Sequence, residues 1–236
     1  MKSPWIVRTA GKEPALLERI AEVWPELLAA LGQTGTMLLV AIPLAVLIGT
    51  PLGVLLYSLG PDGLGHKPRL HRVLDSLVNL VRSFPFLILL IAIIPFTRFV
   101  VGTTIGTAAV IVPLTINAIP YFARFVEQNI TALGGGVVEA ARSMGATRGQ
   151  IVRDVLLVEA RPALISSVTI MTVSFISYSA MAGLVGGGGI GDFAIRYGYY
   201  RYETGLMLTA IVLMVLLVQA VQLGGSWLSR RADKRL

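Results

Sequence analysis

Long apolar runs alternate along this chain with short clusters of charge, and the runs have the length that crosses a bilayer, about 20 residues. Residues 35–59 carry no charge, and residues 76–96 carry only Arg82, near one end, where a long side chain can snorkel to the headgroups. Residues 99–123, 162–191 and 204–229 are uncharged and complete the set. The pattern predicts an all-α membrane protein with five transmembrane helices per chain and its termini on opposite sides. Prolines interrupt three of the spans: Pro43 and Pro51 in the first, Pro85 and Pro95 in the second, Pro113 and Pro120 in the third. Two readings stay open for them, simple kinks or backbone opened to line a path. Gly49 with Gly53, and Gly102 with Gly106, have the small-xxx-small spacing that lets helices approach closely.

Ahead of the first span lies an amino-terminal segment, residues 1–31. Leu16, Ile20, Val23, Trp24, Leu27 and Leu31 share one helical face there, while Glu18, Arg19, Glu22 and Glu26 fall elsewhere. This predicts an external amphipathic helix lying at the membrane interface, with Pro25 as the place where it would divide. The transmembrane body is expected over 32–230, and a basic tail over 231–236.

Composition supports the membrane reading. Charged residues make up 14% of the chain, against about 25% in soluble domains, while 55% are hydrophobic. The net charge of +7 sits in loops between uncharged runs, which argues for membrane orientation and not for nucleic acid. Of the twenty Lys and Arg, thirteen flank one side of the predicted spans and seven the other. The positive-inside rule puts the richer side in the cytoplasm and the amino terminus outside.

The chemistry of an enzyme is missing from the pattern. With no Cys there is no thiol catalysis or thiolate metal site. His66 and His71 stand in a short basic loop at a spacing that suits neither one helix face nor a common metal motif. Gly186, Gly188 and Gly191 match G-x-G-x-x-G but follow a membrane helix, so a tight turn or close packing is the better reading. No phosphate-binding loop of the G-x-x-x-x-G-K-[ST] kind occurs. Ion-coupled transporters need ionisable groups deep in the membrane, and only Arg82 lies within the spans. If transport is driven, a partner must supply the energy.

The segment between the third and fourth spans is too polar to insert and too apolar for a linker. Within residues 133–161, Val137, Val138, Ala141 and Met144 give a short amphipathic turn that Gly145 ends. Thr147 and Gln150 then have capping-box spacing for a second helix, with Ile151, Val155 and Leu156 on its apolar face. Two short helices joined at a glycine predict a compact docking knob.

Glu139-Ala140-Ala141, with Gly145 four residues on, resembles the EAA signature of permease subunits of bacterial ABC importers. The signature usually continues as Ile-x-Leu-Pro, where this chain has Val155 to Val158, without the proline. The resemblance extends over residues 32–230. The stretches VRSFPFLILLIAIIPFTRFVVGTTIGTAAVIVPLTI and YSAMAGLVGGGGIGDFAIRYGY are most similar to the methionine-importer branch. It implies a type I ABC importer permease fold, working as a homodimer with two ATP-binding cassette subunits and an external substrate-binding lipoprotein. ATP and magnesium would bind the ATPase, leaving no cofactor in this chain. Membrane lipids are the remaining partner. Glu139, Ala140, Ala141, Met144, Gly145 and Ala146 would then form the ATPase-coupling site, with Glu139 holding its frame by hydrogen bonds.

Two further groups are candidates. Ser174, Tyr178, Ser179 and Met181 in the fourth span either line a substrate path, offering hydroxyls and a soft thioether closure, or pack helices. Asp192, Arg196, Tyr197 and Tyr199 form either a docking surface for the external binding protein or a solvated loop. Alternatives to a methionine importer are the same machine carrying another amino acid, a peptide or a phosphonate, or a secondary transporter or membrane scaffold.

Overall fold

The computed structural model describes residues 16–233, so expectations for residues 1–15 and 234–236 lie outside the described residues. Its elements, in order, are α1 (Leu16–Leu59), α2 (Pro68–Ser83), α3 (Phe86–Ala92), α4 (Ile94–Val101), α5 (Thr107–Thr131) and α6 (Gly135–Ser143). Then come α7 (Arg148–Gln150), a π-helical turn (Ile151–Leu156), α8 (Leu157–Glu159), α9 (Arg161–Ala182), α10 (Gly189–Ala194), a second π-helical turn (Ile195–Tyr200) and α11 (Thr204–Ala232). Helices α1, α5, α9 and α11 are each long and apolar enough to cross a membrane. The fifth expected span is a broken one: α2 and α3 meet at a 98° bend, at Phe84 and Pro85. Proline lacks the amide to continue the ladder and pushes its predecessor out of the helical region, and Phe84 is extended here. Pro95 opens α4 after a second interruption at Ile93.

Elsewhere the prolines do not end their helices. Pro43 and Pro51 lie inside α1, and Pro113 and Pro120 inside α5. Pro25 does not divide the amino-terminal segment either, because α1 is one helix of 44 residues. At 1.5 Å per residue it is about 66 Å long, twice a hydrocarbon core of about 30 Å, so much of it stands beyond the membrane. The interfacial reading of this part is corrected by what covers its apolar face. Val23, Leu27 and Ala30 are buried against Ile190, Phe193 and Tyr197 and against Leu206 and Ala210 of α11. Protein takes the Val23, Leu27 and Ala30 stripe of that face, while Leu16 and Trp24 stay exposed.

The centre of the bundle is α5. Helix α1 packs on it more extensively than any other pair of helices in the fold packs. A Cβ on Gly53 would lie 2.3 Å from the Ala123 carbonyl oxygen, and one on Gly49 would lie 2.9 Å from that of Ile119. The first small-xxx-small pair is therefore the crossing point. Gly102 and Gly106 instead flank the loop from α4 to α5, both at positive φ with open space where a Cβ would stand, so the second pair marks turns and not a helix crossing.

Helix α2 packs a mixed face inward: Val78 and Leu74 meet Leu56 and Ala123, with polar residues beside them. His71, Asp75 and Asn79 face α5, where Arg124 donates to Asp75, Asn79 and Glu127, while Leu70, Val73, Leu77 and Leu80 are exposed. His71 is thus no loop residue: it sits in α2, 3.6 Å from Glu127.

Gly53→Ala should cost about 1–3 kcal/mol, the range for overpacking, while Gly32→Ala, whose Cβ meets nothing within 4 Å, should be neutral. Denaturant titration of the two purified variants in one detergent measures the difference; equal losses would remove the crossing as a determinant.

Candidate functional site

The knob between α5 and α9 is built from two locking devices. At the end of α6, Ala146 N–H donates to the Ala141 carbonyl at 3.1 Å and Gly145 N–H to that of Arg142 at 2.9 Å. This is a Schellman closure, and it requires the left-handed backbone that Gly145 supplies at φ +81°. Two residues on, the Thr147 hydroxyl accepts from Gln150 N–H while the Gln150 side chain accepts from Thr147 N–H, a complete capping box. The second helix therefore starts where the spacing places it.

Val138 and Ala141 anchor α6 in the main core, together with Ile130, Ile151 and Leu156. Ile151 and Leu156 are five apart and both buried, which the π-helical turn between them permits. Val155 is half-buried. The opposite surface of the knob is bare: Glu139, Ala140 and Gly145 are exposed, Ala146 is half-buried, and Met144 is 81% exposed. Glu139 does not hold the frame, because its carboxylate points outward and only its backbone carbonyl is engaged, by Ser143. Of the six coupling candidates, Ala141 is buried in the core and Ala146 packs against it, while the other four are exposed.

In α9 the pathway candidates divide. Ile170, Ser174, Ser177 and Met181 follow one another at helical spacing and leave one face open, with Met181 40% exposed. The Ser174 hydroxyl donates to the Ile170 carbonyl. Tyr178 turns away, stacked on Phe86 of α3 at 5.0 Å and edge-on to Phe175, so it packs helices. Ser179 is buried, with its hydroxyl donating to the Ile176 carbonyl. Neither Tyr178 nor Ser179 belongs to the open face.

The cluster that follows the glycines is tied to α1. Arg196 donates to Asp192 at 2.7 Å and to Glu26 of α1 at 2.6 Å, and the Tyr197 hydroxyl donates to the same carboxylate. Arg196 and Tyr197 are thus a staple between α1 and the second π-helical turn, braced by Asp192 of α10, while Tyr199, Tyr200 and Tyr202 remain broadly exposed. Arg19 adds a second staple, donating to both carboxylate oxygens of Glu203 at 2.7 and 2.9 Å. Gln33 and Thr34 complete the seam by accepting from the amides of Gly189 and Ile190, donors that the start of α10 would otherwise leave unpaired. Sequence reasoning missed these partners; the one signal was two polar residues, Gln33 and Thr34, at the mouth of an apolar run.

An all-helical membrane bundle carrying a rigid polar knob between two of its spans defines a permease subunit. The chain belongs to the family of binding-protein-dependent transport system inner membrane components, which matches residues 49–234. Among its relatives is a probable D-methionine transport system permease protein of Vibrio cholerae serotype O1, 51% identical over 209 residues that cover 89% of this chain and 93% of the relative. The corresponding protein of Pasteurella multocida is 46% identical over 191 residues, 81% of this chain and 88% of its own length. The solved inward-facing MetNI methionine ABC transporter superposes with a TM-score of 0.88 at 43% identity, over 91% of this chain and 99% of that one. The fold is that of a type I ABC importer permease.

Hydrogen bonds from Tyr197 and then Arg196 hold the Glu26 carboxyl below its ordinary value near 4.5, and Arg19 does the same for Glu203. Both carboxyls lie outside the apolar spans. Carboxyls depressed in the folded state stabilise above the unfolded value and lose that contribution as pH falls through the folded one. Thermal stability should therefore fall below pH 4.5 more steeply in the parent than in a Glu26→Gln, Glu203→Gln double variant. Melting curves at several pH values measure this, and parallel pH profiles would dismiss the staples.

Proposed function

We propose that this chain is the membrane subunit of an ATP-driven importer for methionine, paired as a homodimer and coupled to two ATPase subunits. The observation that carries this reading is the knob: a core-anchored turn, closed by Gly145, that presents the side chains of Met144 and Ala140 to a partner while using neither in its own packing. An exposed apolar side chain on a polar platform suits insertion into a cleft, and Ala140 lets a partner's surface come close. Methionine as the solute is supported by the relatives' names and by a soft thioether, Met181, on the open face of α9. Two copies of that face, opposed, would enclose a path offering weak contacts only, with alternating access driven from the knob. The amino terminus is taken as outside, where an external binding protein would deliver the solute near Tyr199. ATP and magnesium belong to the ATPase, and this chain needs no cofactor and performs no catalysis.

The test is uptake of labelled methionine by proteoliposomes holding the chain, its ATPase and the cognate binding protein, with ATP on the ATPase side. Uptake should depend on ATP and vanish in Met144→Asp, whose side chain touches little of this chain. Gly145→Val should abolish it as well, because a β-branched residue resists positive φ, while Gly145→Asn should retain most of it. ATPase activity without methionine uptake would keep the importer and discard its solute, and failure to bind any ATPase would discard both.

Met181 is tested separately. Met181→Ala and Met181→Trp should change the uptake rate in opposite senses, with assembly intact by size-exclusion chromatography. Unchanged uptake in both would remove Met181 from the path.

A further inference from the structure

On the side of α9 away from Met181, the helices α1, α9 and α11 enclose an apolar groove of about 650 Å³. Ile42 and Val46 of α1, Ile165 and Val168 of α9, and Val221 and Leu228 of α11 line it. Thr169 and Thr172 also reach it, but their hydroxyls donate to the carbonyls of Ile165 and Val168, so their donors are already satisfied within α9. Helical spacing puts these α9 residues nearly opposite the stripe of Ile170, Ser174, Ser177 and Met181. The groove therefore faces away from the surface on which a second copy would close the path.

At one end the groove meets positive charge. The start of α9 and the end of α11 are clamped together there, with Ser166 and Ser229 hydroxyls 2.9 Å apart and Ser229 donating to the Pro162 carbonyl at 2.8 Å. Arg161 lies one turn before Ile165 on the groove side of α9, and Arg231 one turn beyond Leu228 on α11; both are exposed. The Arg231 guanidinium rests over the Trp227 ring at 5.2 Å, an aromatic suited to headgroup depth. Glu159 and Asp233 lie at the same end, outnumbered by Arg161, Arg230 and Arg231.

We propose that this groove is a binding site for an anionic phospholipid, whose acyl chain lies along Gly224 between α1, α9 and α11 and whose phosphate meets Arg161 and Arg231. The match is one of shape with charge. An apolar channel within the bilayer ends, at the depth of a tryptophan and two arginines, where a lipid's own apolar and anionic parts meet. The assignment requires that α1, α9 and α11 span the membrane, and it is independent of the transported solute.

Gly224 supplies the decisive variant. Its Cβ would meet nothing within 4 Å, so a large side chain there enters the groove without striking backbone, whereas the neighbouring Gly225 is closed by Thr169. Native mass spectrometry of the full-length chain, alone or bound to its ATPase, released from micelles containing equal phosphatidylglycerol and phosphatidylcholine of identical chains, counts retained lipids beside the intact protein mass. The parent should keep phosphatidylglycerol about fivefold or more over phosphatidylcholine, the scale of one arginine near an anionic surface. Gly224→Phe should abolish retention and Gly224→Leu reduce it. Arg161→Gln with Arg231→Gln should remove the preference while leaving the protein mass unchanged. Equal retention of both lipids by the parent, or a preference that survives Gly224→Phe, would overturn the site.

Discussion

Lipid tails are as apolar as leucine, so helices in a bilayer gain nothing by hiding apolar surface from it, and association falls to packing and hydrogen bonds. In this fold that constraint is met first where α1 crosses α5 with Gly49 and Gly53 against the Ile119 to Ala123 backbone. From that contact α5 is held at the centre, and α2, α3, α4 and α9 each pack against it. The same helix runs on through Val126 and Ile130 to the core residues that seat the knob. One close approach between backbones thus fixes both the interior of the bundle and the base of its docking element.

Polar contacts then set the two ends. At one end, Arg196 with Glu26 and Arg19 with Glu203 join side chains that are partly solvated, so each pair contributes modestly and the seam relies on the apolar contact of Val23, Leu27 and Ala30 behind it. At the other end Arg124 is largely buried, and three acceptors, Asp75, Asn79 and Glu127, converge on it. Removing an acceptor from such a cluster leaves a largely buried charge less well paired, which costs more than losing one member of a solvated pair. This cluster holds the His71, Asp75 and Asn79 edge of α2 on α5, beside the apolar contact of Leu74 and Val78 with Leu56 and Ala123.

Length and charge made most of this architecture legible in the sequence, because membrane spans announce themselves by what they exclude. The knob was legible too, since Gly145, Thr147 and Gln150 are local devices that need no knowledge of the rest of the fold. What periodicity does not carry is the identity of the neighbour. The apolar face of residues 16–31 reads alike whether lipid or α10 and α11 covers it, and a proline reads alike in unbroken α1 and at the 98° bend before α3. Hydroxyls mislead for a related reason: Ser179 satisfies itself on the Ile176 carbonyl, so its polarity says nothing about a passing solute. Asp192, Arg196 and Tyr197 looked like a surface because their partner, Glu26, lies 170 residues from Arg196.

The arrangement also bears on how a distant ATPase would move a path through the membrane. From Arg148 the chain continues through the π-helical turn, α8 and α9 to Ala182, and the junctions at Ile151, Leu157 and Ala160 all keep right-handed helical backbone. At 1.5 Å per residue this makes a lever about 50 Å long, beginning beside Gly145 and ending beside Met181. Val138 and Ala141 tie its base to α6, and the stack of Tyr178 on Phe86 ties its far end to the broken second span. The knob and the bend at Pro85 are thereby joined through one continuous path, α9 and the aromatic contact at its far end.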